Sequence, residues 1–289
     1  PDITVAMTLA ARVTERLLVG TAVTNLVTHN PAVVASTFAT IQHLSGGRAL
    51  LGVARGDTAL HLVGETAPTV DEFVTLLSRL HGYLAGEDVQ VGTESSRLQW
   101  LPDATAPRVP VNVFGSGPRN LKAAAAHGDL VTMTVGAEPD QVRWGIEQVR
   151  AVSPDVPIGA LVVAATGTNL PALREIVRAN ASISAHFRRD TTTALDPSDA
   201  AVVADVTRDY DDATHATAAA TQARDLPDAF LDRFCVIGPP DHCVERLREL
   251  VALGLDHVII VGAGRDTDPA VREASERLFA REVLPAVRG

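Results

Sequence analysis

Few side chains in this sequence carry reactive chemistry at a telling spacing. The run Gly115-Ser-Gly-Pro-Arg119 joins an apolar stretch to a helical one. Small residues there let backbone N–H groups approach an anion, and a helix N-terminus adds favourable partial charge. A βα turn that needs glycine freedom explains the same run equally well. In Arg55-Gly-Asp57 the glycine lets the chain pass close to a ligand and Asp57 can accept hydrogen bonds; an ordinary surface turn is the alternative. His29, just before a helix, can contact a ligand or donate a proton, or simply bond backbone at the helix entry. The only lysine is Lys122, so a Schiff base would have to form there. Ser36, Ser45 and Ser116 lack a Gly-x-Ser-x-Gly setting, which disfavours a serine hydrolase. No histidine pair has zinc-site spacing, and His43, His81, His127 and His186 fall within helical stretches as structural or solvated residues. The pair Arg188-Arg189 is more often a solvated helix end than an anion clamp.

Composition narrows the class. The chain has 289 residues, 46% of them hydrophobic and 21% charged, which is ample for a packed core and excludes intrinsic disorder. With 25 basic and 35 acidic residues the net charge is −10, which argues against nucleic-acid or anionic-membrane partners. No apolar run approaches the roughly 18 residues of a membrane helix. Two cysteines, Cys235 and Cys243, are too few for a disulfide framework and fit a reducing cytoplasm. The chain starts at Pro1 without a basic-then-apolar leader, which fits an internal start.

The elements that must hold these residues alternate between β-branched runs and amphipathic helices. Strands are expected over 16–24, 48–54, 111–114, 130–135, 158–164 and 257–261. The chain opens into a helix over 3–11, and the helix after the first strand has Asn30 as N-cap, Pro31 at its first position and Gly46-Gly47 as its stop. Thr69-Val-Asp-Glu72 spells a capping box that opens the next. Residues 87–108 form an excursion with a hairpin around Gly92. Helices follow over 118–127, 139–152, 171–188 and 269–284, and Asp241 is expected to cap one that ends at Leu253. Residues 189–231 read as a helical insertion, and 234–237 as a short extended piece. Six βα units in series imply an α/β fold of parallel strands, either a barrel or an open doubly wound sheet. No Gly-x-Gly-x-x-Gly follows the first strand, which weakens a dinucleotide-binding reading.

Four stretches carry a resemblance: Val19-Gly-Thr-Ala-Val-Thr-Asn25, His29-Asn-Pro-Ala-Val-Val-Ala-Ser36, Leu44-Ser-Gly-Gly-Arg-Ala-Leu-Leu-Gly-Val-Ala-Arg-Gly-Asp57 and Phe114-Gly-Ser-Gly-Pro-Arg119. Together with Ile237-Gly-Pro-Pro-Asp-His-Cys-Val-Glu-Arg-Leu247 they resemble the bacterial luciferase-like superfamily, and its coenzyme F420-dependent, methylenetetrahydromethanopterin reductase-like branch in particular. The resemblance implies a single TIM (β/α)8 barrel domain over 1–289 with the helical insertion before its last strand. It also implies that the first two βα units are absent, so that about 40–50 residues precede Pro1 in a complete catalytic unit. It implies an oxidoreductase that moves a hydride between the deazaflavin and a small organic substrate, with FMN as the alternative cofactor of a monooxygenase. A cofactor-binding protein without turnover is the rival. The family's non-prolyl cis bond falls at Ala22–Val23, and Thr21, Ala22, Val23, Thr24 and Asn25 meet the cofactor. Gly56 and Asp57 join them, Gly115, Ser116, Gly117 and Pro118 hold its phosphate, and His29 is the catalytic candidate. No metal is implied; the family is often dimeric, and a cytoplasmic homodimer is expected.

Overall fold

The computed structural model describes residues 2–101, 106–188, 191 and 194–288. Two compact units divide the chain: one holds residues up to Phe114 together with Ala123–Leu130, the other Gly115–Lys122 together with Val131 onward.

The first unit opens with α1 (Ile3–Val13), whose cap Asp2 accepts from the amides of Thr4 and Val5. The strand β1 (Val19–Gly20) leads to α2 (Pro31–Ser45), β2 (Ala49–Val53), the single turn α3 (Thr58–His61) and α4 (Val70–Leu84). Local chemistry sets the helix ends as expected. Asn30 accepts from Ala32 N ahead of Pro31, Gly46 closes α2 in the left-handed region, and Thr69 and Glu72 bond each other's backbone. A hairpin, β3 (Val89–Val91) and β4 (Glu94–Ser96), turns at Gly92. Then comes β5 (Val111–Gly115), and β1, β2 and β5 pair in parallel. The strand expected over 16–24 is regular only at Val19–Gly20. It rejoins β2 through a bridge from Thr24 to Val53, and the Ala22–Val23 peptide between them is cis.

Helix α5 (Pro118–His127) precedes β6 (Leu130–Met133), α6 (Pro139–Arg150), β7 (Ile158–Thr166) and α7 (Leu170–His186). The insertion comprises α8 (Pro197–Arg208), α9 (Thr221–Arg224) and α10 (Asp228–Phe234) among the described residues. It leads into β8 (Val236–Gly238), and α11 (Pro240–Ala252), β9 (His257–Val261), α12 (Pro269–Leu278) and α13 (Leu284–Arg288) follow. The long strand β7 is the centre of the second unit. It pairs in parallel with β6, with β8 at its C-terminal end and with β9 along Gly159–Val163. Its Val163 and Ala165 pack with Ile176 and Val177 of α7 and with Phe230, Leu231 and Phe234 of α10 in one apolar cluster.

Three sequence expectations change here. Phe234 is the last residue of α10, and the extended piece is a paired strand at Val236–Gly238, so seven parallel strands exist among the described residues rather than six. The insertion therefore precedes β8, with β9 still to come. Asp241 sits inside the first turn of α11, whose cap position is Pro239 with no side-chain cap bond. Asp241 acts there on the helix dipole. The C-terminal helix is broken by a π turn at Phe279–Val283.

Candidate functional site

In the first unit the candidate residues gather at the C-terminal ends of β1 and β2. Thr21 is buried, and its hydroxyl donates to Gly52 O at 2.8 Å while accepting from Gly52 N at 3.2 Å. That hydroxyl locks β1 to β2, so only its backbone remains to meet a ligand. A side chain at Gly52 would strike Thr21 O, which makes glycine obligatory there. Ala22 and Val23, on either side of the cis bond, are exposed, Val23 by 42%, an apolar surface that the unit's own side chains leave uncovered. Asn25 turns the chain: its Oδ1 accepts from Val27 N at 3.0 Å, Thr28 N at 2.9 Å and Thr28 Oγ1 at 3.1 Å. Thr28 Oγ1 also lies 3.2 Å from His29 Nδ1, which ties the exposed His29 to the same turn.

Gly56 adopts φ +91° against this turn. A Cβ there would sit 2.7 Å from Leu60 Cδ1 and 3.3 Å from Asn25 Cβ. Asp57 begins α3 without capping it and faces His61 at 3.7 Å. The structure thus brings together Thr21, Thr24, Asn25, His29, Gly56 and Asp57 around two strand ends.

The glycine-rich turn lies in the second unit. Gly115 O accepts from Thr134 N at 2.9 Å and from Thr134 Oγ1 at 3.3 Å. A side chain at Gly115 would press within 3.2 Å of Asn120 Cβ, on the first turn of α5. Ser116 directs its hydroxyl into the protein, donating to Phe187 O at 2.6 Å, so any ligand role for Ser116 falls to its backbone. Asn120 Oδ1 is buried beside this turn with no partner.

Several residues carry less chemistry than their types suggest. Cys235 and Cys243 are buried free thiols, and burial pushes Cys235 up to about 12. His81 bonds His127 O at 2.7 Å, and its burial holds the imidazole below the usual range. Lys122 is exposed. No cluster of three metal-ligating side chains occurs among the described residues, and none of their helices is long and apolar enough to cross a membrane. One reading from sequence reverses. Arg188 is a buried side chain, 1% exposed, rather than a solvated helix end, whereas Arg189 lies outside the described residues. The Phe234 ring receives the Arg188 guanidinium at 4.3 Å, a contact that the linear sequence does not signal.

Comparison with known proteins places this geometry. A luciferase-like monooxygenase family model matches residues 1–257. The 5,10-methylenetetrahydromethanopterin reductase of Methanolobus tindarius is 24% identical over 294 residues, covering 98% of this chain and 87% of the relative. An F420-dependent glucose-6-phosphate dehydrogenase of Microbacterium testaceum is 28% identical over 293 residues, covering 97% and 81%. Among solved structures, the coenzyme F420-dependent tetrahydromethanopterin reductase of Methanopyrus kandleri superposes with a TM-score of 0.72 at 20% identity, covering 99% of this chain and 87% of that one. That likeness carries the fold, an α/β architecture of the luciferase-like TIM-barrel type. With its two strand ends, its glycine-rich turn and a family model that spans most of its length, this chain belongs to the luciferase-like monooxygenase family.

Proposed function

We propose that this chain is a coenzyme F420-dependent oxidoreductase that moves a hydride between the deazaflavin and a small organic substrate. The observation that carries the reading is the similarity, over nearly the whole chain, to an F420-dependent glucose-6-phosphate dehydrogenase and to a methylenetetrahydromethanopterin reductase, joined by the shared fold of a coenzyme F420-dependent tetrahydromethanopterin reductase. The residues present fit such a group. The uncovered apolar surface of Ala22 and Val23 suits a flat ring, and the unpartnered Asn120 Oδ1 beside residues 115–118, an acceptor, suits a ligand hydroxyl rather than its phosphate oxygens.

In this reading the backbone of Thr21, with Ala22, Val23, Thr24 and Asn25, supports one face of the cofactor. Gly56 and Asp57 border it, and the N–H groups of Gly115, Ser116 and Gly117, at the start of α5, hold its phosphate while Pro118 fixes the helix entry. The cofactor supplies the hydride chemistry when bound; the protein supplies orientation and charge. His29 is the proton-handling candidate, because it is exposed and anchored through Thr28 to the Asn25 turn. The protein works on small molecules as a cytoplasmic homodimer, without nucleic acid or membrane.

Titration of the protein with F420 and, separately, with FMN tests the reading by the change in cofactor absorbance and fluorescence. Saturable F420 binding, followed by hydride exchange with an alcohol, sugar phosphate or reduced pterin, is the expected result. Binding of FMN alone would replace it with the monooxygenase reading. Tight F420 binding with no turnover by any donor or acceptor would favour a carrier role.

A further inference from the structure

Arg188 is the largest of the fully buried side chains among the described residues, and its Nε, Nη1 and Nη2 all lack a hydrogen-bond partner. A guanidinium presents five N–H donors in a rigid fork. Taking it out of water with none of them met is among the most costly arrangements a protein interior can hold. What surrounds it offsets little of that. The Phe234 ring lies 4.3 Å from its central carbon, a favourable contact with a cation but a weak substitute for solvent. Two carboxylates attract it, Asp199 and Glu138, and a second cation, Arg233, repels it. Both carboxylates are engaged elsewhere: Asp199 pairs with Arg233, and Glu138 Oε2 accepts from Gln141 N at 2.9 Å. Burial lowers the guanidinium to about 10, still a full cation at neutral pH.

The position is built rather than incidental. Arg188 N donates to Ala185 O at 3.0 Å, and Thr191 donates to Arg188 O through its N at 2.8 Å and its Oγ1 at 2.9 Å. The preceding carbonyl, Phe187 O, receives the Ser116 hydroxyl, so the backbone that carries Arg188 is fastened to the glycine-rich turn ahead of α5.

We propose that Arg188 anchors an oxyanion-binding site in the second unit, one that takes the phosphate or carboxylate group of a small-molecule ligand. A bidentate oxyanion matches the guanidinium fork and supplies the acceptors that the protein withholds. The inference does not depend on which redox cofactor the protein uses.

Calorimetric titration of the whole protein with inorganic phosphate, at ionic strength held constant with chloride, tests it. The wild type and the exposed control Arg277→Gln should bind phosphate saturably, and Arg188→Met should bind it at least tenfold more weakly. The ligand-free Arg188→Met protein should melt no lower than the wild type, because an unmet buried charge has been removed. Absence of saturable phosphate binding by the wild type, or equal affinity in Arg188→Met, would overturn the proposal. Should Arg188→Met fail to fold, Arg188→Lys decides, since it keeps the charge without the fork: weaker binding sustains the proposal and unchanged affinity overturns it. Repeating the titration with saturating F420 identifies the owner of the group. Lost phosphate binding assigns it to the cofactor, and retained binding to a substrate; either sustains the site. Failure of F420 itself to bind would count against the oxidoreductase reading alone.

Discussion

Gly159→Ala is the substitution for which the structure gives the clearest energetic argument. Thr132 of β6, Gly159 of β7 and His257 of β9 lie on one line of register across three parallel strands. Neighbouring strands are about 4.8 Å apart, so Thr132 and His257 are two such steps apart. They still meet, because the imidazole crosses the surface of Gly159 and its Nε2 comes within 2.8 Å of Thr132 Oγ1. The crossing needs the absence of a side chain: a Cβ at Gly159 would lie 2.2 Å from His257 Nε2 and Cδ2. Alanine must therefore expel the ring. Overpacking costs about 1–3 kcal/mol and the lost hydrogen bond about 1 kcal/mol, so Gly159→Ala should destabilise by about 2–4 kcal/mol. In strand context alone the same change would be favourable by about 0.5–1 kcal/mol. His257→Ala frees that space, so Gly159→Ala added to it should cost little, and the two changes should couple by about 1–3 kcal/mol.

The same imidazole carries a pH signature. Burial holds His257 below its usual 6.5, against the opposing pull of Asp256. The native state then binds this proton less readily than the unfolded chain. Stability is full above pH 6.5 and declines as the pH falls below it, because protons favour the unfolded state. Urea denaturation of the four proteins of the cycle, at pH 7.5 and pH 5.5, measures both effects. Additive single-mutant costs, or an acid sensitivity that His257→Ala leaves untouched, would refute the reasoning.

Further outcomes follow from single features. Thr69→Ala removes the hydroxyl half of the capping box and should cost about 0.5–2 kcal/mol in chemical denaturation, most of it restored by Thr69→Ser. Cys235, buried with its thiol pushed up to about 12, should resist a thiol-reactive chromophore at neutral pH until the protein unfolds; prompt native-state labelling would contradict its burial. Under the proposed function, Gly117→Val should weaken F420 binding at least tenfold, about 1.4 kcal/mol, in a fluorescence titration. An unchanged titration with a folded variant would remove the turn from the site.

Features that close within a few residues are legible in the sequence itself. Asn30 with Pro31, Thr69 with Glu72, and Gly46 in the left-handed region mark their helix ends because each partner lies within three or four positions along the chain. The βα alternation is equally plain, since a strand buried on both faces is largely apolar, as in the consecutive Val162, Val163, Ala164 and Ala165 of β7. The motifs at 19–25, 44–57 and 114–119 point to the family for a related reason. Glycines and small residues are placed where backbone must approach backbone, and that demand survives in their spacing.

What the linear pattern leaves open depends on contacts between distant residues. The hydroxyl of Thr21 looks available to a ligand in the sequence and is held by Gly52, thirty-one positions on. Val236–Gly238 is too short to signal a strand by periodicity and becomes one because Ala164, Ala165 and Thr166 offer it a free edge. Arg188 has the composition of a helix end and the environment of a core, because α10 folds Phe234 over it. Local hydrogen bonds are satisfied where they are formed and so leave a mark in neighbouring residues. Burial is set by whichever segment arrives from far along the chain, and only the assembled tertiary structure determines which one that is.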